Sequence, residues 1–392
     1  MRYLDKNRLA KNIEARMAAD IADGRVGGAG ICVMQDGEEV YKGYFGVKTQ
    51  AGREEIGDDT IFRLASMSKP ITAVAALIQC ERGLLSLDEP ITRLLPDFAD
   101  MQVAVKEGDR MRVVGTSKTP LTLRHLLNHT NGLGTNEVCT MEAGPMTAED
   151  MLDPAHAVAY HARTALEFEP GTAQFYSAFA AFDVVGRLVE LTSGKSFAEF
   201  LKDEIFDPCG MKDTTFAPTA EQWTRFIGMH DRIPGAGQPN DPAVPGQSID
   251  SPTTEGCVFE YFPTTQMMGG AGLAATLPDY VRFSEMLTAG GILDGKRILS
   301  PEWVRAMGTP TVPVEIMPDP IRWGLGVRVI SADGYQMPKN CFGWSGAYGT
   351  HFWIDPDNRI SAVYMKNCRY DGGAGAVTAF LFEQDVYGAL KD

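Results

Sequence analysis

Strand-like and helix-like sequence is sorted unevenly along this chain, and the sorting limits the possible folds more than any single motif does. Two strand-like runs lie near the start, Gly30-Ile31-Cys32-Val33-Met34 and Glu39-Val40-Tyr41-Lys42-Gly43-Tyr44-Phe45. Gln35-Asp36-Gly37 supplies a turn between them, so the pair reads as a hairpin. Ahead of it, residues 5–22 read as an amphipathic helix, with Leu9, Ile13, Met17 and Ile21 four residues apart. From about 66 to 215 the pattern is mainly helical, with helices expected at 66–82, 121–129, 149–163, 178–193 and around 196–205. After a further helix over roughly 277–290, strand-like runs return at 323–331, 341–345, 348–354 and 360–366. Pro356-Asp357-Asn358 marks the turn between the last two, and a helix from about 374 to 390 ends the chain. Terminal helices, an antiparallel sheet split between the two ends and an inserted helical region imply an α/β (α+β) fold. The sheet domain takes residues 1–65 and 266–392, and an all-α domain takes 66–218.

Residues 219–265 break the pattern. Pro234, Gly235, Gly237, Pro239, Pro242, Pro245, Gly246 and Pro252 crowd into a stretch with little periodicity. An irregular segment of this length inside a compact protein is often functional. It reads as a lid or site wall, or as a surface insertion.

At 392 residues the chain can bury a substantial core. Its net charge of −15 argues against nucleic acid or an anionic membrane surface as a partner. No apolar run reaches the length of a membrane span, and no apolar stretch after Met1-Arg2-Tyr3-Leu4-Asp5-Lys6 suggests a signal peptide. The seven cysteines (Cys32, Cys80, Cys139, Cys209, Cys257, Cys341, Cys368) are odd in number and contain no Cys-x-x-Cys pair. Free thiols in a reducing cytoplasm are the expected state. Oligomeric state leaves no mark in the sequence.

The chemistry concentrates at Ser66-Met67-Ser68-Lys69. A serine hydroxyl needs a neighbouring base to become a nucleophile. A lysine three residues on along a helix lies on the same face, about 5–6 Å away at the Cβ atoms. The alanine-rich run Ala73-Val74-Ala75-Ala76-Leu77-Ile78 supports such a helix, with Ser66 at its N-terminus, where backbone N–H groups favour developing negative charge. Tyr176 follows the Pro170-Gly171 turn. Held near a lysine ammonium, a tyrosine can relay a proton. The third element, Gly343-Trp344-Ser345-Gly346-Ala347-Tyr348-Gly349, opens a strand pair with small residues that let backbone approach a ligand. An exposed N–H there, with that of Ser66, would form an oxyanion hole.

Two patterns are decoys. Gly343-Trp344-Ser345-Gly346-Ala347 imitates the Gly-x-Ser-x-Gly elbow but ends in alanine and lacks its strand-turn-helix setting. His125 and His129 stand four apart without a carboxylate partner, and none of the six histidines forms a His-Glu-x-x-His zinc pattern. A structural role is expected for both. His351, beside the oxyanion strand, points either into the site or into the core.

With these residues in hand, the chain resembles the serine β-lactamase and penicillin-binding protein superfamily, most closely the class C β-lactamase-like branch that includes the family VIII carboxylesterases. Ser66-Met67-Ser68-Lys69 matches the Ser-x-x-Lys motif. Leu126-Leu127-Asn128-His129-Thr130-Asn131-Gly132-Leu133 resembles Leu-Leu-x-His-Thr-Ser-Gly-Leu, and Tyr176-Ser177-Ala178 stands where the family has Tyr-x-Asn. Phe206-Asp207-Pro208-Cys209-Gly210-Met211 resembles Ile-Phe-x-Pro-Leu-Gly-Met. Gly269-Gly270-Ala271-Gly272-Leu273 resembles the Gly-Gly-Leu step, and Trp344-Ser345-Gly346 replaces Lys-Thr-Gly.

The resemblance implies that Ser66 is acylated, that Lys69 lowers its proton affinity, and that Tyr176 serves as base or relay. It implies an oxyanion hole from the N–H groups of Ser66 and Ala347, and neither metal nor organic cofactor. Lys69 and Tyr176 would titrate as a coupled pair, so the first base stays open. The departures bear on the substrate. Trp344 cannot pair with the carboxylate that the family's lysine binds, and Ala178 lacks the asparagine amide that touches substrate and lysine. Trp344, Ser345, Gly346 and Ala178 are the expected substrate-binding positions. The expectation is a cytoplasmic serine esterase acting on small neutral esters. An amidase, a D-stereospecific peptidase, a weak β-lactamase, an acyltransferase, or an inactive ligand-binding homologue are the alternatives.

Overall fold

The computed structural model describes residues 1–49, 52–108, 110–134, 146–147, 153–232, 246–249, 267–368 and 375–391. Cys139, Cys257, the start of the helix expected at 149, and most of the irregular 219–265 stretch lie outside the described residues.

Asp5 accepts the N–H of Arg8 and so starts helix α1, Lys6–Ala22. Strands β1 (Gly28–Gln35) and β2 (Glu38–Gly46) form the expected hairpin around Gly37 at φ +80°. β3 (Ile61–Arg63) leads into a 3-10 turn, Ala65–Met67, and then into helix α2, Ser68–Glu81. A hairpin with no counterpart in the sequence expectations follows, β4 (Gln102–Glu107) with β5 (Arg110–Thr116). Helices α3 (Leu123–Leu127), α4 (Pro154–Ala162) and α5 (Ala180–Ser193) form much of the helical part, and the helix expected around 196–205 follows from Phe197, capped by Ser196. Within the irregular stretch, β6 (Met229–Arg232) pairs antiparallel with β7 (Gly246–Ile249). β8 (Ala274–Thr276) pairs back to β3, and helix α6 (Leu277–Thr288) follows, capped by Thr276.

Of the strand expected at 323–331, Arg328–Ile330 forms β10, and only its first residue, Trp323, belongs to a strand of its own, β9 (Ile321–Trp323). Gly326 between them has φ +79°, a left-handed conformation that ends a strand. β11 (Phe342–Ser345), β12 (His351–Asp355), β13 (Ile360–Lys366) and helix α7 (Val377–Tyr387) finish the chain.

The strands assemble in the order β9-β10-β11-β12-β13-β1-β2, a seven-stranded antiparallel sheet. The N-terminal hairpin joins the C-terminal meander through β1 and β13, with Ala29 opposite Lys366 and Gln35 opposite Ile360. Side chains alternate between the two faces with period two. Ala29, Ile31, Val33, Trp353, Ala362 and Tyr364 pack against α1 and α7. Cys32, Phe352, Ile354, Val363 and Met365 pack on the other side with Tyr280 and Phe283 of α6 and the helical core.

Helix α2 is buried continuously from Ser68 to Cys80. A helix enclosed on all sides needs small side chains where backbone comes close, and the alanine run supplies them. A Cβ added at Gly326 would lie 2.5 Å from the Ala73 Cβ, so the β9–β10 turn rests directly on α2. The start of α2 therefore sits between sheet and helices. Among the described residues no helix is long and apolar enough to cross a membrane.

Candidate active site

Ser66 sits in the 3-10 turn just ahead of α2, and the residue before it, Ala65, has φ +46°. A non-glycine residue in that region carries about 1–3 kcal/mol of strain, held by its surroundings. The strained turn presents Ser66 Oγ at the helix start. One turn later, fully buried Lys69 reaches back with Nζ 3.2 Å from that oxygen.

Two backbone carbonyls fix the lysine. Nζ donates to Ala178 O at 2.6 Å and to Gly270 O at 2.8 Å, so its three hydrogen-bonding directions are all taken. The main chain of Ala178 thus supplies a partner to Lys69 that its side chain cannot. Gly269 and Gly270 must lack side chains for this, since a Cβ would lie 2.3 Å from Phe182 O at the first and 2.8 Å from Ala178 O at the second. No side chain in the sequence marks either carbonyl.

Tyr176 packs against Lys69, whose Nζ lies 5.0 Å from the ring centroid. The Trp344 indole N–H donates to the Tyr176 Oη at 3.2 Å. Trp323 stacks on Tyr176 at 5.7 Å and meets Trp344 edge-on at 4.5 Å. The three rings make an apolar wall beside the Ser66–Lys69 pair, and exposed Phe175 adjoins Tyr176 in sequence. Trp323 was absent from the sequence candidates; it lies in β9, where its place beside Trp344 depends on strand pairing.

His129 organises the tyrosine loop. Its Nδ1 accepts the Ser177 N–H at 3.2 Å, and its carbonyl accepts the Phe175 N–H at 3.1 Å. Its ring lies 4.6 Å from that of Tyr176. Burial, then the Lys69 charge, push His129 well below the ordinary histidine value, so it is a neutral prop. It lies beyond the end of α3 at φ +60°, so it does not share a helix face with His125. Among the described residues no His, Cys, Asp and Glu cluster could hold a metal ion.

The β11–β12 turn closes the site opposite α2. A Cβ at Gly346 would lie 2.2 Å from Leu64 O and 2.1 Å from Thr350 Oγ1. Thr350 Oγ1 donates to Leu64 O at 3.0 Å, and the Gly346 N–H donates to Thr350 O at 2.7 Å. These contacts seat the turn on the segment entering Ser66. Among the described residues the neighbouring Ala347 N–H has no acceptor.

Ser345 is not brought to this site. Its neighbour Trp344 faces Tyr176, so strand alternation turns Ser345 to the other side of the sheet. It is 2% exposed, and its Oγ lies 2.8 Å from His351 Nδ1. His351 is equally buried and points into the core, with Nε2 2.9 Å from Glu383 Oε1. Burial lowers the His351 pKa, outweighing the upward pull of Glu383.

A family model described as Beta-lactamase matches residues 9–384. The chain is 29% identical over 406 residues to Esterase EstB of Burkholderia gladioli, covering 96% of this chain and 95% of that one. Its fold superposes on that of EstCE1, described as a hydrolase with promiscuous acyltransferase activity, with TM-score 0.77 at 24% identity, covering 98% of this chain and 99% of that one. A family VIII carboxylesterase structure gives TM-score 0.74 at 19% identity, covering 97% and 98%.

Proposed function

The chain belongs to the Beta-lactamase family, and on that premise we propose that it is a serine carboxylesterase cleaving small neutral esters through an acyl-Ser66 intermediate. The observation that carries this reading is the buried Lys69 Nζ held 3.2 Å from Ser66 Oγ by two carbonyls. A lysine anchored in this way has no freedom to serve as a general cation for a substrate anion. It is aimed at one hydroxyl.

In the proposed reaction, Lys69 and Tyr176 act together to remove the Ser66 proton as Oγ attacks the ester carbonyl carbon. The carbonyl oxygen becomes an oxyanion between the N–H groups of Ser66 and Ala347. Collapse expels the alcohol, which takes the proton back, and leaves an ester on Ser66. Water then attacks along the same path and releases the acid. The wall of Tyr176, Trp323 and Trp344 supports an acyl or alcohol part without charge. Gly346 and the Ala178 carbonyl bound the site; Ser345 drops out of the substrate-binding set. The five buried free cysteines among the described residues support a reducing, cytoplasmic setting.

A second reading, acyl transfer to an alcohol in place of water, draws support from the EstCE1 likeness. Both readings share the acyl-enzyme and part at the acceptor. The test is hydrolysis of p-nitrophenyl butyrate by wild type and folded Ser66→Ala, with nitrocefin in parallel. Loss of ester turnover in the variant, with nitrocefin turned over far more slowly by wild type, is the expected result. Retained turnover in Ser66→Ala would refute the reading. Added methanol or butanol divides acid from transferred ester in the product and so separates the two acceptors.

A further inference from the structure

Behind the oxyanion strand lies a chain of polar groups that the proposed reaction does not use. Ser345 Oγ lies 2.8 Å from His351 Nδ1, and His351 Nε2 lies 2.9 Å from Glu383 Oε1 on α7. Glu383 also accepts from Arg328 on β10 and from the Gln336 amide, with the Tyr335 hydroxyl at 3.4 Å. With that carboxylate as partner, His351 carries its proton on Nε2. Nδ1 is then an acceptor, and the Ser345 hydroxyl donates to it. Serine, histidine and carboxylate stand in line as in a nucleophilic triad, yet Ser345 is 2% exposed and faces away from the Ser66 site.

This placement is expensive. Burying an ionised carboxylate with its partners gains little over apolar packing of the same volume. The same face of the sheet meets α1 and α7 mainly through apolar side chains such as Ile31, Trp353, Ala362 and Phe382, with further polar ties from Lys366 to Thr378 and from Tyr387 to Asp355. Ser345 and His351 form the last cross-strand pair of β11 and β12. The next residues are the turn that carries Ala347. On the site side that turn is seated on Leu64 by Gly346 and Thr350. On the back it is tied to α7 by Ser345, His351 and Glu383.

We propose that Ser345, His351 and Glu383 are positioning residues that clamp the end of the β11–β12 hairpin to α7 and so hold the Ala347 N–H at the oxyanion. The inference rests on the reading of Ala347 as an oxyanion donor for acyl transfer at Ser66. The chain fixes where the strand ends, in rotation and in depth, more tightly than apolar contact would. Burial works to raise the Glu383 pKa, but His351, Arg328 and Gln336 outweigh it and keep the group ionised.

The test uses the full-length protein with Ser345→Ala, His351→Gln and Glu383→Gln. Steady-state constants are measured on p-nitrophenyl butyrate, together with inhibition by phenylboronic acid, whose tetrahedral adduct on Ser66 places an oxygen in the oxyanion hole. A displaced donor lowers kcat about tenfold, with KM within about twofold and boronate affinity falling in step with kcat. Ser345→Ala/Glu383→Gln is no slower than the slower single variant, because one chain transmits both effects. Asp385→Asn is the control: it loosens α7 through the separate contact to Arg16 and leaves kcat unchanged at comparable loss of melting temperature. Wild-type kcat and boronate affinity in folded network variants would overturn the proposal, as would an equal fall of kcat in Asp385→Asn. Ser345→Ala removes a single oxygen and serves if the other two variants do not fold. Ser66→Ala in the same assays separates the two failures: activity there refutes the acyl-Ser66 reading itself.

Discussion

Gly346→Ala tests the seating of the proposed oxyanion turn most sharply. The added methyl would lie 2.2 Å from Leu64 O and 2.1 Å from Thr350 Oγ1. Thr350 can turn away by losing its bond to Leu64 O, but the carbonyl belongs to the segment that enters Ser66. Restoring ordinary contact requires the turn to retreat by roughly 1 Å. A misplacement of that size at a reacting centre costs on the order of a hundredfold in rate. Full loss of one oxyanion donor costs about 2.7–4 kcal/mol, which bounds the effect from above. Overpacking should cost about 1–3 kcal/mol of stability as well. The assay is kcat on p-nitrophenyl butyrate beside thermal melting. Gly194→Ala is the control, because Gly194, just past the end of α5, has φ +71° and open space around it, so the substitution strains backbone away from the site. It should lower stability by about 1 kcal/mol and leave kcat alone. A folded Gly346→Ala protein within twofold of wild-type kcat would refute the reasoning.

Other expected outcomes follow from the same geometry. Trp344→Phe keeps a ring but removes the hydrogen bond to Tyr176 Oη, so kcat falls roughly fivefold, about 1 kcal/mol, in the same ester assay. Gly270→Ala pushes on Ala178 O at 2.8 Å and on Lys69 Nζ at 3.3 Å, and kcat falls about tenfold with a smaller change in KM. The third concerns acid. Burial holds His129 and His351 below the ordinary histidine value of about 6.5, so the unfolded chain binds protons that the folded chain refuses. Their contribution to stability is complete above about pH 6.5 and is lost as pH falls toward their folded values. Urea unfolding midpoints between pH 7 and pH 5 should drop, and less so in His129→Gln; an identical slope in that variant would contradict the assignment.

The sequence made the sheet legible because its strands are apolar runs punctuated by strong turn residues, and β1, β2, β11 and β13 lie close to the expected positions. β9 and β10 were merged because the run around 323–331 stays apolar across Gly324 and Gly326, and only the left-handed φ at Gly326 divides it. The β4–β5 hairpin was hidden in a stretch whose neighbours are helices. Ser66, Lys69 and Tyr176 stood out because their side chains are of the types that the proposed chemistry needs. The groups holding Lys69 could not, since a carbonyl at Ala178 or Gly270 has no residue type of its own. Ser345 and His351 needed register: only the cross-strand pairing shows that both lie on the α7 side.

Trapping the acyl-enzyme tests the central claim most directly. The protein is mixed with p-nitrophenyl butyrate, quenched in acid during turnover, and digested for peptide mass spectrometry. One butyryl group on the peptide carrying Ser66, absent from Ser66→Ala, is the predicted result. A butyryl group on Ser345 or another residue, or undiminished turnover by Ser66→Ala, would contradict it.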